Sequence, residues 1–128
     1  LPQLDRMNAD RRRIARMYLD GIRNPEVILP YVMADVEPVW HIFAVRCRHR
    51  GALEKHLNEQ GIGTNKHYPI PMHLQKCYAD LGIPQGALPV AEEISATELS
   101  LPMFYGMTDA EVRYVIDAVN TFEVALCD

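Results

Sequence analysis

Val39–Arg46, read as VWHIFAVR, is the stretch on which the fold of this chain turns. β-branched and aromatic residues dominate it, and its hydrophobicity is nearly continuous, as expected of a central strand buried on both faces. On its N-terminal side, Asn24–Glu37 carries Pro25 and Pro30 and is closed by Pro38. Prolines that dense exclude regular helix and central strand, so an extended connector is predicted. Further upstream, Leu4, Met7, Ile14, Met17, Tyr18 and Ile22 recur near helical spacing with arginines on the other side, predicting a helix over Gln3–Asp20 that Gly21 ends.

Working outward in the other direction, Gly51–Gln60 reads as a helix with Leu53 and Leu57 inward, stopped by Gly61-Ile62-Gly63. A short strand is expected over Thr64–His67, then a short helix around Leu74–Leu81. The loop Ile83–Leu88 follows, and Pro89 opens another helix. Glu98–Leu101 is extended. Thr108 and Glu111 form a capping box at the start of a last helix reaching Phe122, with Val112, Val115, Ile116, Val119 and Phe122 as its stripe. Helices interleaved with a few short strands predict an α+β fold: a small, mostly antiparallel sheet with helices packed on one face.

With 128 residues the chain fits one domain, and 48% apolar with 23% charged residues excludes a disordered tail. The net charge of −4 argues against nucleic acid; the one basic run, Arg11-Arg12-Arg13 with Arg16, reads as a solvated helix face. Cys47, Cys77 and Cys127 contain no C-x-x-C pair, so free thiols in a reducing, cytoplasmic setting are expected. Neither a membrane span nor a signal peptide is visible. The chain opens on Leu1 rather than Met and runs straight into a helical pattern, so a piece of a longer polypeptide is expected.

Five histidines raise the question of metal, but His49-x6-His56 and His67-x5-His73 fit no zinc spacing, and no carboxylate nearby in sequence completes a set. His41, between Trp40 and Ile42, reads as a satisfied sheet histidine, and the spacing of His73 and Cys77 reads as packing rather than a thiol–imidazole pair. Gly61–Gln75, GIGTNKHYPIPMHLQ, stands apart: two prolines stiffen a loop that carries two imidazoles, a phenol and an ammonium. Ordering such a loop is expensive unless it contacts something.

That segment, as GI-x-T-x-x-HYP-x-P-x-HLQ, resembles the C-terminal domain of the DegT/DnrJ/EryC1/StrS sugar aminotransferases. Further resemblances lie in register on both sides: Asp10–Ala15 with Tyr18 and Leu19, Pro38–Phe43, Pro89-Val90-Ala91-Glu92, Leu99–Met103 and Thr108–Val119. The resemblance implies a fold-type I enzyme dependent on pyridoxal phosphate (PLP). Its ping-pong transamination would take an amino group from a donor such as glutamate to a keto-sugar linked to a nucleoside diphosphate. It implies residues 1–22 as an interdomain-type helix and 23–128 as the small domain, in a homodimer. It also implies no catalytic residue here, since the Schiff-base lysine belongs to a preceding large domain. Lys55 and Lys76 read as ordinary helix lysines, and Lys66 replaces the family's commoner apolar residue. No cofactor is expected on this piece alone. His67 is expected to hydrogen-bond a sugar or phosphate oxygen, Tyr68 to pack on the ligand or close its pocket, and His73 to assist. Two other readings stand beside this one: a stand-alone α+β small-ligand-binding or regulatory module, and an interaction fragment whose apolar surface belongs to a partner.

Overall fold

The β-branched run pairs where it is most hydrophobic. In the structure, a computed structural model describing residues 2–124, Phe43–Arg46 (β1) lies antiparallel to Glu98–Leu101 (β2). Phe43 faces Leu101 and Val45 faces Leu99, so one face is wholly apolar; Ala44–Ser100 and Arg46–Glu98 occupy the other. Single antiparallel bridges extend the ladder at both edges, Ile28 to Arg46 and Asn65 to Ser100. The α+β architecture is as expected, and every pairing is antiparallel.

β2 has the predicted extent, whereas the other two predicted strands are shorter than expected. Trp40 adopts a left-handed φ of 52°, which breaks the extended run, so β1 begins only at Phe43. Trp40 instead packs against Phe43, ring centroids 5.3 Å apart. His41 is therefore exposed and outside the strand, not a satisfied sheet residue. The strand predicted over Thr64–His67 reduces to the single bridge at Asn65, because the prolines that follow end the pairing.

Three helices cover the apolar face: Leu4–Gly21 (α1), Arg50–Glu59 (α2) and Asp109–Asn120 (α4). Ile14, Ala15 and Tyr18 of α1 join Leu53 and Leu57 of α2, Val112, Val115 and Val119 of α4 and the inward strand residues in one core. Burial pushes the Tyr18 phenol pKa upward, and its hydroxyl donates to the Pro102 carbonyl at 2.8 Å. Leu4, expected on the inward stripe, is nearly half exposed, while Ala15, absent from it, is fully buried.

Helix ends are satisfied by specific side chains. Asn24, buried, donates to the Val119 and Phe122 carbonyls at 2.8 Å each, capping the end of α4. In return, Asn120 donates to the Gly21 carbonyl at 3.0 Å and accepts from the Arg23 amide at 2.7 Å. Gly21 ends α1 next to Ile116: an added Cβ would lie 2.8 Å from Cδ1 of Ile116, so the close approach of α1 and α4 is what this position demands. α2 stops as expected. Gly61 has a φ of 73°, and the amides of Gly61 and Ile62 donate back to Asn58 and Leu57. The predicted capping box is present, Glu111 donating its amide to the Thr108 hydroxyl and accepting the Thr108 amide at 2.7 Å.

The basic run departs from the expected solvated face. Arg13 clamps α1 to the start of α4: it pairs with Asp10 and Asp109 and donates to the Met107 carbonyl at 2.6 Å. Arg12 pairs with Glu37 at 2.7 Å. The Gly106 amide, opposed by burial and aided by Arg13, holds the Asp10 carboxyl below the usual range. The helix predicted near Leu74–Leu81 is two 3-10 turns, Met72–Leu74 and Lys76–Leu81, broken at extended Gln75; Lys76 sits on the second turn rather than on an amphipathic α-helix. Pro89–Thr97 (α3) begins at its proline as predicted. Among the described residues, no helix is long and apolar enough to cross a membrane. Cys47 is buried and Cys77 exposed, both free thiols, and Cys127 lies outside the described residues.

Candidate functional site

The polar face of β2 builds the site. Period-2 alternation turns Glu98 and Ser100 away from the leucines, yet both are buried, 3% and 5% exposed, because the loop after Asn65 lies across them. Glu98 accepts the His67 backbone amide at 2.7 Å through Oε2 and the Ser100 hydroxyl at 2.5 Å through Oε1. Ser100 Oγ is 2.8 Å from Nδ1 of His67, and Asn65 Nδ2 is 3.2 Å from Nε2 of the same ring. The imidazole is thus gripped at both nitrogens and at its own backbone. Tyr68 follows through a cis peptide bond, stands edge-on to the His67 ring at 5.6 Å, and is two-thirds exposed.

His73 is placed by a different carboxylate. It lies buried on the first 3-10 turn with Nε2 3.0 Å from Glu92 Oε1. Glu92, on the first turn of α3, also accepts the Gly86 amide at 2.8 and 2.9 Å and the Leu88 amide at 3.3 Å. Burial works to raise the Glu92 pKa; the Gly86 amide, the His73 imidazole and the Leu88 amide outweigh it and hold the carboxyl below its usual value. Between the two histidine anchors opens a cleft of about 510 Å³, walled by Tyr68, Ile70, Met72, Tyr78, Leu88 and Ile94. A mostly apolar cleft with a few convergent polar groups suits an organic ligand with polar substituents. A smaller cleft of about 230 Å³ lies on the other side of His67, beside His41, Thr64 and Asn65.

Of the residues singled out in sequence, His67, Tyr68 and His73 all border the larger cleft. Sequence reading passed over Glu98 and Ser100 as catalytic or binding candidates; the signal was a polar residue at every second position of an otherwise apolar strand, Glu98-Leu99-Ser100-Leu101. Each of the two loop histidines has a carboxylate neighbour in space that sequence distance hides, but no cluster of three metal-ligating side chains occurs among the described residues. Lys66 ties the loop to α2 through Glu54 at 2.6 Å. Lys55 is an exposed partner of Glu59, and Lys76 is exposed. A lysine that condenses with an aldehyde cofactor needs a desolvated amine free of carboxylate partners. None of the three described lysines meets that requirement.

The chain resembles known proteins over nearly its whole length. The chain is 43% identical over 122 residues to dTDP-3-amino-3,6-dideoxy-alpha-D-galactopyranose transaminase of Aneurinibacillus thermoaerophilus, covering 95% of this chain and 33% of that protein. It is 42% identical over 121 residues to dTDP-3-amino-3,4,6-trideoxy-alpha-D-glucose transaminase of Streptomyces venezuelae, covering 94% and 32%. Among solved structures, S. venezuelae DesV in complex with a ketimine intermediate superimposes with a TM-score of 0.91 at 41% identity, over 94% of this chain and 33% of that one. The chain spans about a third of the length of the curated relatives it matches. Residues 1–120 match the pattern of one family, a span that includes the His67 loop, the Glu92 helix and the Glu98–Leu101 strand. The chain belongs to the DegT/DnrJ/EryC1/StrS aminotransferase family.

Proposed function

We propose that this chain is the C-terminal small domain of an aminotransferase that converts a nucleotide-linked keto-sugar to an amino-sugar, and that it supplies one wall of the substrate cleft. The observation that carries the reading is the His67-Tyr68 turn, fixed from beneath by Glu98 and Ser100 and opening on the apolar cleft. The activities named for relatives that act on dTDP-linked sugars support the substrate class. In this reading residues 1–22 form the helix leading in from a large domain and residues 23–128 the small domain. PLP serves as the electron sink of transamination, held by residues outside this chain. Glutamate is the proposed amino donor and the working enzyme a homodimer; the run of exposed apolar side chains between Tyr68 and Ile94 supports a covered surface there.

The residues present would bind and orient rather than react. His67 hydrogen-bonds the ligand, and Tyr68 covers it with an exposed ring. His73, whose Nε2 is committed to Glu92, shapes the cleft floor. Steady-state kinetics of the whole enzyme test this. His67→Ala should raise KM for the nucleotide sugar about tenfold, the equivalent of one lost hydrogen bond, with KM for the amino donor unchanged. Unaltered sugar-nucleotide KM in both His67→Ala and Tyr68→Ala would sink the assignment.

A further inference from the structure

We infer that Glu98, acting through Ser100, is a positioning residue that holds His67 as its Nδ1–H tautomer, so that Nε2 is presented as an acceptor to a ligand hydroxyl. A neutral imidazole has one N–H and one lone pair, and which nitrogen carries which is set by its partners. Both ends of the network give the same answer independently.

From the buried end, both Glu98 oxygens accept hydrogen bonds, one from the His67 amide at 2.7 Å and one from Ser100 Oγ at 2.5 Å. A carboxylate engaged in this way has only acceptors to offer, so the single hydroxyl proton of Ser100 points to it. Ser100 Oγ then has only lone pairs for its 2.8 Å contact with Nδ1, which must carry the proton. From the exposed end, Asn65 Oδ1 accepts the Lys66 backbone amide at 2.8 Å. That amide cannot accept, so it fixes the orientation of the Asn65 side chain and turns the NH2 group toward Nε2 at 3.2 Å. A nitrogen facing an N–H donor must offer its lone pair. Reversing the tautomer would set two acceptors face to face at Nδ1 and two donors face to face at Nε2.

The consequence narrows the chemistry of the site, and it rests on the proposed reading of His67 as a ligand contact. A neutral His67 of this tautomer pairs with a group that donates. A sugar hydroxyl does; an ionised phosphate oxygen does not. The ligand hydroxyl would take the place of the exposed Asn65 amide, the longest contact in the network.

Two-bond ¹H–¹⁵N correlations of the labelled chain, recorded at alkaline pH where imidazole is neutral, identify the protonated nitrogen. The expected result is a dominant Nδ1–H form for His67, and a dominant Nε2–H form would overturn the inference without any variant being made. Ser100→Ala and Glu98→Gln should move the ring toward Nε2–H, the form an unconstrained imidazole prefers. Ser100→Thr, which keeps the hydroxyl, should restore Nδ1–H. Loss of the preference in Ser100→Thr as complete as in Ser100→Ala would also overturn it, because packing rather than the hydroxyl would then set the ring. The measurement needs no ligand, so it separates the two readings. An Nδ1–H ring together with unchanged sugar-nucleotide KM in His67→Ala enzyme would keep the relay and remove the hydroxyl contact.

Discussion

Two regions of this chain use similar side chains to opposite ends. In one, α1, α2 and α4 close over the leucines, valine and phenylalanine of the strands, with Tyr18, Phe43, Leu53 and Leu57 fully buried. In the other, every large apolar side chain from Tyr68 to Ile94 is exposed, and the sequence between Ile62 and Leu99 places no hydrophobic residue in the core. Hydrophobic burial holds the first region, while polar pins hold the second: Glu92 on the Gly86 and Leu88 amides, Glu98 on the His67 amide, and Gln75 on the Ile70 carbonyl. Apolar composition alone therefore does not say where a core is. It is the meeting of matched faces that decides, and the cleft region has no matching face among the described residues.

Substitutions can break that contrast, and the largest effect belongs to the closed core. Phe43→Ala should cost about 3–5 kcal/mol of unfolding free energy in urea titration, the usual loss for a buried aromatic, whereas Tyr78→Ala on the cleft wall should change it by less than about 0.5 kcal/mol. Comparable losses at both positions would erase the distinction. Next is Asn24→Ala, which leaves the Val119 and Phe122 carbonyls without their donor. A loss of about 1–3 kcal/mol is expected for stranding buried polar groups, with the end of α4 fraying first in amide exchange. Thr108→Ala removes one half of the capping box and should cost about 1 kcal/mol, again read from unfolding midpoints. A null result there would mean that Arg13 alone fixes the start of α4.

How much of this was legible in the sequence divides along the same line. Local signals survived: the helix-stop at Gly61, the proline start of α3 and the Thr108–Glu111 box each depend on neighbours a few residues away. The strand core was visible in VWHIFAVR, but its first residues were not, because hydrophobicity does not report the left-handed turn at Trp40. Long-range polar partners were beyond reach. Asn24 meets Val119, Arg13 meets Met107, and His73 meets Glu92 only once the chain has folded, so the sequence points to His73 and Arg13 without their partners and passes over Asn24. The candidate site was half legible: resemblance singled out His67, Tyr68 and His73, while the groups that fix His67 lie on Glu98–Leu101, which the sequence reads only as extended.

The smallest global effect, and the sharpest test of the contrast, comes from Glu92. Its carboxyl is held below the usual glutamate range, with burial opposed and outweighed by the Gly86 amide, the His73 imidazole and the Leu88 amide. A depressed folded-state pKa means that the stabilisation is fully present above the unfolded value and is lost as pH falls through the folded one. The loop from Pro84 to Leu88 should therefore keep its amide protection through the usual glutamate range and lose it at lower pH, in step with Glu92 protonation. Amides of β1 and β2 should remain protected over the same interval, because no apolar core residue depends on that carboxylate. Glu92→Gln should reproduce the acid behaviour at neutral pH, with faster exchange at Gly86 and Leu88 and an unchanged urea midpoint. If Glu92→Gln instead unfolds the whole chain, the cleft region is part of the cooperative core and the two regions are one; if exchange at Gly86 does not respond, Glu92 is not the pin that orders this loop.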